Sequence, residues 1–108
     1  MGTVGYLAPE QAQGNGPPDP PSDIYSLGVM LFQMLTGKLP FRGTLTQVLD
    51  QIATKPFPVP SKVRKGLSWE WDVFCRRSAA KKPKDRYQSA GELADALQNI
   101  TRNLQRPS

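Results

Sequence analysis

The sequence predicts an all-α fold. Three observations carry that prediction: apolar side chains recur at helical spacing in four segments, no segment alternates long enough for a strand, and glycine and proline gather between the periodic segments. With 108 residues, 38% of them hydrophobic, the chain can build one domain around one modest core. Nine glycines and 11 prolines in that length predict long irregular connections.

Residues 1–13 are mixed in character. Residues 14–21, Gly-Asn-Gly-Pro-Pro-Asp-Pro-Pro, read as a loop that forms neither helix nor central strand, because proline lacks a donor and glycine adds freedom. The first helix is then predicted to start at Ser22 or Asp23 as cap and to end at Gly37, with Pro40 blocking resumption. Leu27, Val29, Met30, Leu31, Phe32, Met34 and Leu35 cover most of its circumference, so it is expected to lie in the middle of the molecule.

A second helix is indicated by Leu45, Val48, Leu49 and Ile52, capped by Thr44 or Thr46. Pro56, Pro58 and Pro60 predict an extended segment after it. Trp69, Val73 and Phe74 open a third helical stretch, ended by Pro83. The fourth begins with the capping box Ser89-Ala90-Gly91-Glu92 and continues the stripe Leu93, Ala96, Leu97, Ile100 and Leu104.

Composition removes several classes of chemistry. Without histidine there is no Ser-His-Asp or Cys-His nucleophile pair and no His-containing zinc or haem site. Cys75 alone makes neither an internal disulfide nor a four-cysteine metal cluster, which fits a reducing, cytoplasmic compartment. Neither a signal peptide nor a membrane segment is legible; the longest apolar run, Leu27 to Leu35, is interrupted by Gln33, and a soluble protein is expected. The net charge of +5 is uneven, because residues 62–86 hold nine basic and three acidic side chains. That basic stretch suits acidic partners or a solvated surface. Trp69 and Trp71 are the aromatics nearest it, but no helix-turn-helix or zinc pattern accompanies them, so nucleic acid is not the expected partner.

Four segments in order resemble the C-terminal lobe of a eukaryotic-like, bacterial-type serine/threonine protein kinase. Gly2-Thr3-Val4-Gly5-Tyr6-Leu7-Ala8-Pro9-Glu10 is similar to the G-T-x-x-Y-x-A-P-E end of the activation segment. Ser22-Asp23-Ile24-Tyr25-Ser26-Leu27-Gly28 resembles the start of the family's central F helix, and Leu35-Thr36-Gly37-Lys38-Leu39-Pro40-Phe41 the L-T-G-x-x-P-F that follows. Lys81-Lys82-Pro83-Lys84-Asp85-Arg86-Tyr87 resembles the K-D-P-x-x-R-Y stretch near the domain end. The resemblance implies a truncated kinase-like domain over 1–104, holding the end of the activation segment and helices like F, G, H and I, with 105–108 as a tail.

It also implies roles. Glu10 and Arg86 would form a structural clasp between activation segment and terminal helices. Asp23 would anchor the catalytic loop, and Met30 and Met34 would floor the hydrophobic spine under the adenine. Thr3 and Tyr6 would belong to the substrate-side loop. No catalytic, cofactor-binding or metal-binding residue of the family falls in this sequence: it has no His-Arg-Asp, Asp72-Val73-Phe74 is not D-F-G, and Gly14-Asn15-Gly16 is followed by prolines rather than completing a glycine lid. ATP and magnesium therefore belong to the parent family's domain, and this chain alone is expected to be catalytically inactive.

Some positions depart from the pattern. Arg76 and Ala79 stand where the H helix usually offers leucines, Lys82 replaces an aspartate, and Gln33 replaces a substrate-binding glutamate; the prolines at 17–21 look like an insertion. An arginine on a core face would need to snorkel or find a partner. The alternative to a kinase remnant is a non-catalytic interaction module, using residues 44–53 and the basic 62–86 surface to dock a kinase or its protein substrates.

Overall fold

The computed structural model describes residues 4–14 and 19–105, and among these it contains helices and connections but no strand. Six α-helices follow in order: α1 Pro9–Ala12, α2 Pro20–Thr36, α3 Leu45–Thr54, α4 Pro60–Val63, α5 Trp69–Ser78 and α6 Ala90–Gln105. Short 3₁₀ turns at Val4–Tyr6 and Pro83–Asp85 complete the set.

Proline starts three of these helices, which is where sequence periodicity reads the boundaries late. α2 begins at Pro20, inside the segment predicted as loop, and its cap is Asp19 rather than Ser22 or Asp23: the Asp19 carboxylate accepts from the Ser22 N–H at 3.1 Å. The first N–H groups of a helix have no intrahelical acceptor, so proline loses nothing there and its fixed φ suits the turn. The same reasoning accounts for α1 at Pro9 and for α4 at Pro60, where an extended segment was predicted.

The other ends follow their signals. Gly37 adopts φ 77° and returns its N–H to the Gln33 carbonyl at 2.7 Å, closing α2 with a left-handed residue. Thr44 rather than Thr46 caps α3, exchanging bonds with Gln47 of 3.2 and 2.9 Å. α5 ends at Ser78, five residues before Pro83, and its last turn carries Arg76 and Arg77 beside the carbonyl end of the dipole. At α6 the Glu92 N–H donates to Ser89 Oγ at 3.1 Å, but the Glu92 carboxylate accepts from the Gln88 N–H at 2.6 Å, one residue earlier than a standard box.

α2 is the element around which the others assemble, packing on α4, α5, α6 and both 3₁₀ turns. Its buried face is Ile24, Tyr25, Gly28, Val29 and Phe32. The opposite flank is open, with Leu27, Met30 and Met34 at 41, 48 and 77% exposure, so the expectation of a helix enclosed all round is corrected. The described residues cover one side of it only.

Phe57 joins the three apolar clusters of the interior. Its ring meets those of Tyr25, Phe32 and Phe41 edge-on, at centroid distances of 6.3, 5.3 and 6.0 Å. The flanking prolines Pro56 and Pro58 stiffen the strap that delivers it. Arg76 is exposed rather than facing the core, which removes any need for a buried partner, whereas Ala79 is buried against the Ala8, Tyr25 and Val29 cluster.

α2 and α5 touch through a small-residue contact. A Cβ built on Gly28 would stand 2.7 Å from the Cβ of Ser78, itself fully buried. Gly28→Ala is therefore expected to lower stability by about 1–3 kcal/mol despite the better helix propensity of alanine. Urea unfolding measures this; a variant as stable as the parent would show that the α2–α5 contact has slack.

Candidate functional site

The segment from Gly5 to Gln13 is laid against α2 by specific bonds. The Tyr6 carbonyl accepts from Ser26 Oγ at 2.6 Å, and the Tyr6 hydroxyl donates to the side-chain carbonyl of Gln33. Ala8 is fully buried, and its N–H donates to Gln11 Oε1 at 2.9 Å, the returning half of a capping box whose other half an alanine side chain does not supply. Pro9 then starts α1 and turns Glu10 toward the base of α2.

Glu10 meets Arg86 in a two-pronged ion pair. Arg86 Nη1 donates to Glu10 Oε2 at 2.7 Å and Nη2 to Oε1 at 2.9 Å. The remaining guanidinium N–H groups are also spent: Nε on the Ala80 carbonyl at 2.7 Å, Nη1 on Pro21 at 3.0 Å and Nη2 on Lys81 at 3.1 Å. All five donors of the group thus have acceptors, and the residue is 1% exposed. The plane also sits 5.0 Å from the Tyr25 ring centroid. Ser22 Oγ donates to Glu10 Oε2 at 2.7 Å, so the first turn of α2 shares the carboxylate.

Burial by itself would raise the Glu10 carboxyl. The Arg86 and Ser22 hydrogen bonds outweigh it and hold the group down at about 2. Lys81, next in the same loop, is pushed the other way, to about 8, by burial and by the neighbouring Arg86 charge. Its ammonium lies 4.9 Å from the Phe41 ring centroid and has no hydrogen-bond partner among the described residues. Burial likewise pushes the Cys75 thiol up to about 12, so it is no ready nucleophile.

The other residues singled out from sequence are dispersed. Asp23 is exposed in the first turn of α2, where an acid suits the dipole. Met30 and Met34 stand on the open flank. Thr3 lies outside the described residues. Beside Gly5 an apolar groove of about 200 Å³ is lined by Leu39, Phe41, Arg42, Gly43, Leu45 and Val48. The basic stretch does not form a single patch: Arg86 is internal, Arg77 lies 4.3 Å from the Tyr87 ring centroid, and Arg64 donates to the Leu35 carbonyl at 2.9 Å. Trp69 is 70% exposed, while Trp71 packs edge-on against Phe74.

Sequence reasoning missed the contributors around the ion pair. Ser22 reads as a cap, and the Pro21, Ala80 and Lys81 carbonyls carry no side-chain signal. Gln88 is a further case, its amide donating to the Arg86 carbonyl at 2.8 Å and to Pro83 at 3.1 Å, bracing the turn that presents the arginine.

Comparison with known proteins fits this architecture. Residues 1–99 match the protein kinase domain family. The chain is 41% identical over 102 residues to the serine/threonine-protein kinase PknB of Mycobacterium tuberculosis, covering 93% of this chain and 16% of that protein. It is 42% identical over 100 residues to the serine/threonine-protein kinase Pkn1 of Myxococcus xanthus, covering 91% and 14%. Among solved structures, the twitchin kinase region from C. elegans superposes with a TM-score of 0.74 at 26% identity, over 90% of this chain and 16% of that one. The chain belongs to the protein kinase domain family, as a bacterial-type serine/threonine kinase fragment whose helices are part of the C-terminal lobe. It spans less than a fifth of the length of these relatives. No helix among the described residues is long and apolar enough to cross a membrane.

The depressed Glu10 carboxyl gives a pH signature. A group held below its unfolded value contributes stability that is complete above about pH 4.5 and is lost as pH falls toward about 2. Glu10→Gln should therefore be less stable than the parent at neutral pH, and the gap should close across that acid window. Urea midpoints from pH 7 to pH 2 test this; a gap independent of pH would show that the carboxylate charge adds nothing to the fold.

Proposed function

We propose that this chain is the substrate-side, scaffolding half of a serine/threonine kinase domain and transfers no phosphate by itself. One observation carries the reading: the described residues complete the bonding around Arg86 yet leave the Leu27–Met30–Met34 flank of α2 uncovered. The clasp side is finished, and the apolar side is where further kinase structure would rest. In this reading Glu10 and Arg86 tie the activation segment to the terminal helices. Met30 and Met34 form the floor of the spine, and Asp23, exposed in the first turn of α2, anchors the catalytic loop. Thr3 and Tyr6 belong to the loop that meets a protein substrate, with the groove beside Gly5 receiving an apolar side chain near the acceptor residue.

The residues present do not fit ATP and magnesium. The sequence lacks the lid glycines, the catalytic Asp–Asn pair and the D-F-G aspartate, and among the described residues no three His, Cys, Asp or Glu side chains converge on a point where a metal could sit. The second reading, a non-catalytic interaction module, is favoured by the same open apolar flank.

The test is incubation of the 108-residue chain with magnesium, labelled ATP and a basic protein substrate. No magnesium-dependent incorporation is expected; phosphate transfer by the purified chain would overturn the proposal.

A further inference from the structure

Arg42 stands between two hollows of different character. It lines the apolar groove of about 200 Å³ beside Gly5, and it also lines an open polar hollow of about 620 Å³ along α3, with Gln47, Asp50, Gln51, Thr54 and Lys55. None of these residues belongs to the Leu27–Met30–Met34 flank of α2, and the wall along α3 is charged where that flank is apolar.

The turn that presents Arg42 is held in place. The Arg42 carbonyl accepts from Gln51 Nε2 at 3.0 Å, and Gln47 Oε1 accepts from the Thr44 N–H at 2.9 Å. Gly43 follows at φ 134°, a conformation that side chains avoid, and a Cβ there would run into Gln47 Oε1. These contacts use the backbone of Arg42 and not its guanidinium. Arg42, Asp50 and Lys55 are all exposed, and the one ion pair among the described residues is Glu10–Arg86 elsewhere. The hollow thus sets two cations against one carboxylate, a local excess of positive charge directly beside an apolar seat.

We propose that Arg42 selects protein substrates that carry an acidic side chain just beyond the apolar residue seated in the groove. The inference rests on the reading of that groove as the seat of a residue near the phosphate acceptor, and it adds the chemistry of the residues that follow. In that reading the acceptor lies on the Thr3–Tyr6 side. Gly5 walls the groove there, and Leu45 and Val48 of α3 wall it opposite. An extended chain crossing from the acceptor toward α3 advances about 3.3 Å per residue, so it passes Arg42 within roughly three residues of the apolar one. A carboxylate at that point can accept two parallel bonds from the guanidinium, and Lys55 strengthens the attraction across the hollow.

Fluorescence anisotropy of short labelled peptides on the full 108-residue chain tests the proposal. The peptides carry a serine, then a leucine, then a pair of glutamates, glutamines or lysines; a further peptide has glycine for leucine before the glutamates. The glutamate peptide should bind about three- to fivefold more tightly than the glutamine peptide, and high salt should shrink the difference. Arg42→Gln should remove the difference, and Arg42→Glu should turn the preference toward lysine. Circular dichroism checks that each variant keeps its helices; should Arg42→Glu unfold, Arg42→Gln still decides the matter. Binding that needs the leucine but ignores the acids, or a preference for acids that survives the loss of the Arg42 charge, would overturn the inference and leave the groove reading standing. Binding indifferent to the leucine, or no binding by any peptide, would overturn the groove reading and the inference with it.

Discussion

The guanidinium of Arg86 is the constraint on which the rest of the structure depends. An arginine removed from water is costly unless every donor finds an acceptor and its charge a partner. Here both conditions are met, by Glu10 from α1, Pro21 from α2 and two carbonyls beyond α5. Those acceptors lie up to 76 residues from Arg86 along the chain, so meeting them fixes the mutual placement of three helices. Ser22 and Tyr25 extend the same fixation into the first turns of α2.

Apolar packing supplies the bulk of the cohesion, and its centre is Phe57 rather than any residue of the long helices. Three edge-on ring contacts link the α2–α5–α6 core with the smaller cluster around Phe41 and α3. The polar clasp lies at one end of α2 and the aromatic junction beside its middle. Between them they hold one face of the helix and leave the other to whatever partner covers it.

Much of the fold was legible because the helices obey their local chemistry. The stripe of α6 and the Gly37 stop are readable from residue type and spacing alone, and the α3 cap is narrowed by them to Thr44 or Thr46. The boundaries at Pro9, Pro20 and Pro60 were not, since a proline before an apolar run reads equally as a loop. The one-sided burial of α2 was hidden for a different reason: a helix apolar all round looks the same whether a neighbouring surface belongs to this chain or to another. At the site, side-chain partners such as Glu10 and Arg86 can be proposed from a family pattern. Backbone acceptors such as Ala80 and Lys81 cannot, because every residue type carries the same carbonyl.

The account turns on buried Arg86 and half-buried Glu10 acting as a coupled pair, and a double-mutant cycle measures that coupling directly. Glu10→Gln, Arg86→Met and the combined variant would be compared with the parent by urea unfolding at neutral pH. Each single change should cost about 1–3 kcal/mol, less than for a fully buried pair because Glu10 keeps part of its solvent contact, and the combined change should cost clearly less than the two together. Strictly additive losses would mean that the two side chains lie side by side without depending on each other, and the central claim would fail.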